Sequence, residues 1–215
     1  MSMLFFFVKK SGMDSINTKK LILASQSPRR KELLKQIGMD IEICPSKIDE
    51  RGILIKDPVE HVKGLARMKA EDTASSYPDT WVIGADTIVV IQDQILGKPS
   101  SKSDAISMLN KLNDCEHFVY TAFCLCNQES DSYRNQSIIK SVKTKVYFKN
   151  LTDKQIKWYV HTQEPFDKAG GYGIQGVGSF MVKKISGSYT NVVGLPLCEV
   201  VEEMIKLNLI EFKEQ

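Results

Sequence analysis

The sequence has no C-x-x-C pair, no H-x-x-x-H, no Walker A loop and no apolar stretch near the about twenty residues of a membrane span. Each absence narrows the reading. Its five cysteines (Cys44, Cys115, Cys124, Cys126, Cys198) are odd in number and irregular in spacing. That argues against a secreted disulfide framework and for reduced thiols in a cytosol, so a cytoplasmic location is expected. His61, His117 and His161 are scattered, which leaves no ligand spacing for zinc. The apolar run Leu4–Val8 is short and is followed, not preceded, by Lys9-Lys10, unlike a signal peptide. Residues 1–18 therefore read as an N-terminal extension, with Met13 a second candidate start, and 19–215 as one domain. A net charge of 29 − 26 = +3 and few clustered aromatics give no footing for a nucleic-acid binder. Neither stable nucleic acid nor a membrane is expected as a partner.

What is present alternates between strand and helix patterns. Lys20–Ala24 reads as a buried strand, and Ser27-Pro28 opens a helix with its apolar stripe at Leu33, Leu34 and Ile37 and a stop at Gly38. Asp57-Pro58-Val59-Glu60 has capping-box spacing and opens a second helix, running to about Ser75. Trp81–Ile91 is rich in β-branched residues and predicts a central strand. Gln92-Asp93-Gln94 predicts a turn and Ser103 the neighbourhood of a third helix start. His117–Asn127 and Ile138–Phe148 predict a long hairpin with Gln128–Arg134 as its polar turn. A capping box at Thr152–Gln155, a strand at Ser179–Ile185 and a last helix from Pro196 to about Leu207 complete the pattern. The fold class predicted is α/β, with a mixed sheet because the hairpin is antiparallel.

Four places carry candidate chemistry. In Ser25-Gln26-Ser27-Pro28-Arg29-Arg30 a strand ends, and two guanidinium groups enter the first turn of a helix. Cations there oppose the helix dipole unless an anion binds, and phosphate suits guanidinium; solvated arginines on an exposed face are the plain alternative. Asp86 interrupts an apolar strand, where an unpaired carboxylate costs several kcal/mol. It fits a metal ligand or general base, or a structural Asp paired with a nearby cation. Lys69, Lys98 and Glu50 are, by pattern alone, a helix lysine, a loop lysine and a loop carboxylate. In residues 164–176 four glycines let the backbone approach a ligand, and Gln175 offers a donor and an acceptor for a pyrimidine edge. A flexible loop without a ligand is the alternative.

Together these segments resemble the Maf family. The matching elements are S-Q-S-P-R-R (25–30), I-D-E (48–50), A-R-M-K-A (66–70), G-A-D-T (84–87), L-G-K-P (96–99), E-P-F-D-K-A-G-G-Y-G-I-Q-G (164–176) and G-S-Y-T-N-V-V-G-L-P (187–196). The resemblance implies an elongated mixed β-sheet flanked by helices with a central cleft, related in shape to inosine-triphosphate pyrophosphatases. It implies hydrolysis of a nucleoside triphosphate to the monophosphate and pyrophosphate with a divalent metal, Mg2+ first and Mn2+ second. Asp86 matches the proton acceptor, and Glu50 matches a carboxylate that acts with Asp86 through the metal. Ser25, Arg29, Arg30, Lys69 and Lys98 match the groups around the triphosphate. Arg29, Thr87 and Gln175 resemble the branch acting on dTTP and UTP; the sister branch preferring 7-methyl-GTP has Trp, Gln and Glu there. Asn113-Asp114-Cys115-Glu116 departs from the family's Gly-containing turn. A homodimer is compatible with the resemblance, and a nucleotide-binding regulator of septum formation with little catalysis is the rival function.

Overall fold

The computed structural model describes residues 16–50, 53, 55–128 and 136–212; the Leu4–Val8 run, Met13 and residues 129–134 of the expected polar turn lie outside these. In chain order the elements are β1 (Ile16–Thr18), β2 (Leu21–Leu23), α1 (Pro28–Gln36), β3 (Glu42–Ile43), α2 (Pro58–Ala74), β4 (Trp81–Ile91) and β5 (Gln94–Leu96). There follow α3 (Lys102–Leu112), β6 (Glu116–Asn127), β7 (Gln136–Phe148), α4 (Asp153–His161), three 3-10 turns (Glu164–Asp167, Ala169–Gly171, Gly176–Met181), β8 (Val182–Ser186), α5 (Tyr189–Val193), α6 (Leu197–Lys206) and β9 (Ile210–Phe212).

The main sheet runs β3-β2-β4-β6-β7-β8, with β5 also on β4. β2 pairs in parallel with β3 and β4, and every other pairing in it is antiparallel. The mixed sheet expected from the sequence is therefore present. β1 and β9 form a separate antiparallel pair, so pairing begins inside the segment read as an extension. Helix starts follow their caps. Asp57 accepts from the amides of Val59 and Glu60, both at 2.9 Å, and Thr152 with Gln155 closes a full capping box. Ser27 stands at the cap of α1 but makes no side-chain cap bond. The strand expected over Ser179–Ile185 starts only at Val182, because Gly176 (φ 74°) turns the chain into a 3-10 segment first. Asp114 supplies the left-handed residue (φ 52°) in the turn that lacks the family's glycine.

Three packed layers share the sheet. Leu33, Leu34, Val200 and Met204 from α1 and α6 cover one face beside Ile83 and Phe123. Farther along β6 and β7, α3, α4 and the turns enclose Leu109, Ile156, Tyr159 and Met181. On the other face α2 lays Val62, Ala66, Ala70 and Ala74 over Val82 and Cys124. Those alanines, together with Gly84, bring helix and strand into close contact. A Cβ on Gly84 would lie 2.3 Å from the Ala66 carbonyl oxygen and 2.6 Å from the Ala70 nitrogen. No helix among the described residues is long and apolar enough to cross a membrane, and all five cysteines are unpaired.

His117 lies in the second of these layers, fully buried, with Nε2 2.7 Å from the Tyr172 hydroxyl and its ring edge-on to Phe148 and Tyr172. Burial pushes its pKa from 6.5 down to about 3. The unfolded chain takes up a proton across that window and the folded chain does not. The resulting stability is complete above pH 6.5 and is lost as pH falls toward 3.

Two outcomes follow. Gly84→Ala should lose about 3 kcal/mol, the upper range for overpacking, because backbone and not a flexible side chain blocks the new methyl; urea unfolding measures it. Between about pH 7.5 and 4.5 the wild type should lose about 2 kcal/mol more stability than His117→Gln. Equal losses in denaturant titrations at the two pH values would remove His117 as the source.

Candidate active site

A gap in the sheet creates the cleft. β2 pairs with β4 only at Trp81–Ile83, and β5 only at Val89–Ile91. Between those two partners, residues 84–88 have no described strand along that edge. A cleft of about 940 Å³ opens over the gap, in the size range of small-molecule sites. Successive side chains on a strand point to opposite faces, so Asp86 and Thr87 reach the cleft from its two sides.

On the α2 side Asp86 is buried and not alone. Lys69, carried on the buried stripe of α2, donates to Asp86 Oδ1 at 2.7 Å and bridges Glu50 Oε1 at 3.0 Å. The shared ammonium offsets the cost of burying the carboxylate. It also ties the loop bearing Glu50, itself half exposed, to the middle of β4. Lys69 precedes Ala70, whose backbone packs against Gly84 two residues before Asp86.

On the opposite side Arg30 is buried and makes four hydrogen bonds. Nε donates to Gly194 O (2.7 Å), Nη1 to Ala85 O (2.9 Å) and Ser25 Oγ (3.0 Å), and Nη2 to Thr87 Oγ1 (3.1 Å). The bond to Ala85 O fills a place that a strand partner leaves vacant. Burial pushes the Arg30 pKa below the ordinary arginine value, against the field of Asp86, which raises it. Arg30, expected from the sequence among the triphosphate ligands, lines the cleft with its guanidinium bonded to four acceptors of the wall. Thr87 joins the same network through Thr121 Oγ1 at 3.0 Å, and Thr121 donates to Asn191 O. The S-Y-T-N segment thus holds Gly194 O where Arg30 needs it.

Arg29, one residue earlier, turns outward. Its Nη1 meets Asp167 Oδ2 at 2.7 Å, and Lys168 Nζ donates to the other oxygen of Asp167 at 2.6 Å. All three residues line the cleft, as do Lys98 and the His61 side. Lys98 is exposed and has no ion pair among the described residues. Of the expected site residues, Ser25, Arg29, Arg30, Glu50, Lys69, Asp86, Thr87 and Lys98 line the cleft together, whereas Gln175 does not. It is half-buried beyond the lining Gly173. Sequence reasoning passed over Asp167, Lys168 and Gly194. The adjacent Asp-Lys pair within the Gly-rich segment was the available signal.

The donor set fits a hard divalent cation. Asp86 and Glu50 converge on one ammonium, and no group of three or more His, Cys, Asp or Glu side chains gathers among the described residues. Magnesium is commonly held by one or two carboxylates, completing its shell with waters and substrate phosphates. Zinc would require a fuller protein shell.

Comparison with known proteins extends the picture. The profile of the family described as Maf-like protein matches residues 20–207. A protein of Syntrophus aciditrophicus (strain SB) named dTTP/UTP pyrophosphatase is 48% identical over 195 residues, 91% of this chain and 93% of its own. One of the same name from Geotalea uraniireducens (strain Rf4) is 49% identical over 191 residues, 89% and 96% of the two chains. The solved structure of a HAM1 protein from Coxiella burnetii is similar at 15% identity and a TM-score of 0.37, covering 59% of this chain and 72% of that one.

The two adjacent arginines should separate experimentally. Arg30→Lys removes a planar fork from four acceptors and should cost about 3 kcal/mol in thermal or urea unfolding. Arg29→Lys, on a partly exposed ion pair, should shift stability by under about 1 kcal/mol. Comparable stability for the two variants would contradict the bracing role of Arg30.

Proposed function

The chain belongs to the Maf family, and from that premise we propose that it hydrolyses dTTP and UTP to the monophosphate and pyrophosphate. One observation carries the reading into the cleft: Asp86, buried in an apolar strand, is presented beside Lys69 and Glu50 in a basic-rimmed cavity. Relatives named for this activity share nearly half their residues with the chain across nine-tenths of its length.

In the proposed reaction water attacks the α-phosphorus, the bond from that atom to the α,β-bridging oxygen breaks, and pyrophosphate leaves. Asp86 orients the water and takes its proton. Lys69 holds the carboxylate by Oδ1 and so fixes its orientation for that task. Arg29, Lys98 and the ammonium of Lys69 set positive charge around the phosphates, where most rate acceleration in phosphoryl transfer arises. Arg30 and Ser25 shape the wall beneath them. Enzymes of this family generally depend on a divalent metal. Mg2+, held by Asp86 and Glu50, would neutralise charge on the phosphate oxygens when bound. Selection of a pyrimidine rests on Arg29 and Thr87 at the lining; reading of the base by Gln175 requires residues 173–176 to move toward the ligand.

The test is pyrophosphate release from a panel of dTTP, UTP, CTP, dGTP and 7-methyl-GTP with Mg2+ or Mn2+. dTTP and UTP should be the preferred substrates. Asp86→Asn should reduce turnover by at least about a thousandfold, with nucleotide binding retained. No release from any nucleotide that nonetheless binds would support a regulator and sink the hydrolase.

A further inference from the structure

Asp167 and Lys168 lie outside every role given above, yet both line the cleft. Two cations from distant parts of the chain meet on one carboxylate: Arg29 from α1 on Oδ2 at 2.7 Å and Lys168 on Oδ1 at 2.6 Å. The carboxylate thus sits as a phosphate would, one oxygen on a guanidinium and another on an ammonium. We propose that Arg29 and Lys168 form a subsite for the outer phosphates of the substrate, and that Asp167 is its internal counterion, displaced when phosphate enters. This rests on the nucleoside-triphosphate reading.

Three features support the exchange. The first is accessibility. The Asp167 side chain is 57% exposed while that of Lys168 is only 12% exposed, so the counterion can swing into solvent and leave a preformed cation behind. An exposed carboxylate pair is held weakly, whereas a triphosphate brings more charge and more oxygens to the same two partners. The second is presentation. Lys168 Nζ is also fixed by the Glu164 carbonyl at 2.8 Å. The Glu164 carboxylate in turn accepts from Tyr159 and from the amides of Val177 and Gly178. The third is the glycine at 173. A Cβ there would lie 2.7 Å from Lys168 Cε, so the glycine lets the lysine stem run close along the backbone, and a larger residue would push that stem aside. Burial raises the Asp167 pKa, but hydrogen bonds from Lys168 and Arg29 outweigh it and hold the group ionised. The counterion therefore competes for the subsite throughout the neutral range.

The experiment is calorimetric binding of inorganic tripolyphosphate, without nucleotide or metal, alongside KM for dTTP and a melting curve for each variant. Asp167→Asn should bind tripolyphosphate roughly two- to tenfold tighter and lower KM to match, with the gain shrinking as salt is raised. Lys168→Gln should weaken tripolyphosphate binding roughly tenfold, and Lys168→Arg should restore it. Unchanged or weaker binding by a normally melting Asp167→Asn protein would overturn the proposal, as would native affinity in Lys168→Gln. Tighter tripolyphosphate binding in a protein that hydrolyses no nucleotide would keep the subsite and discard the catalytic reading. Normal hydrolysis without tightening would discard the subsite alone.

Discussion

A backbone group removed from water has to find a hydrogen-bond partner, and in β4 that requirement is met in an unusual way. The strand is longer than either partner on its outer edge, so carbonyls in its middle face a gap. Arg30 answers for Ala85 and, from the same guanidinium, reaches Gly194, Ser25 and Thr87. The gap can persist as a cleft because a side chain replaces the missing strand. The cleft wall depends on this substitution, which gives the Ala85 carbonyl a fixed protein partner where neither β2 nor β5 reaches.

The two faces of the gap have different tasks. Toward α2 the chemistry is ionic, with a buried carboxylate, a shared ammonium and a half-exposed second carboxylate. Toward α5 it is a network of neutral acceptors around one cation, running through Thr87, Thr121 and Asn191. Keeping the paired carboxylates on one side and the brace on the other lets the protein hold Arg30 without pairing it directly to Asp86. That separation leaves Asp86, among the described residues, ion-paired with Lys69, a partner whose ammonium can also face phosphate.

Much of this is legible in the sequence. Capped helices and β4 declared themselves, because an Asp or Thr cap followed by an apolar period, or eight β-branched or aromatic residues in a run of eleven, overdetermine the element. Strands of two or three residues, such as β3 and β9, and the five-residue α5 carry too little pattern to be seen. Phe180-Met181 read as strand because they are apolar and precede one, while the turn at Gly176 that sets them in a 3-10 segment is a matter of backbone angle. Asp86 stood out as a charge in the wrong company, and the family resemblance placed most of its neighbours. The bracing bonds of Arg30 have no counterpart in the sequence pattern: two of its acceptors are main-chain carbonyls 55 and 164 residues away, and carbonyls leave no trace in a sequence. Gln175 stands out by its donor and acceptor within a Gly-rich segment and by the family resemblance, but neither signal says where that segment folds.

The distance from Arg30 to Gly194 also bears on how the molecule is made. During synthesis α1 emerges early, and β4 and α2 can dock soon after it. Yet the guanidinium cannot complete its bonds until a residue 164 positions later has left the ribosome. Until then an arginine destined for burial stays in water, and the edge of β4 is open to whatever else can pair with it. The cleft is thus among the last parts of the protein to form, and a chain halted before α5 holds the carboxylate without the wall that frames it.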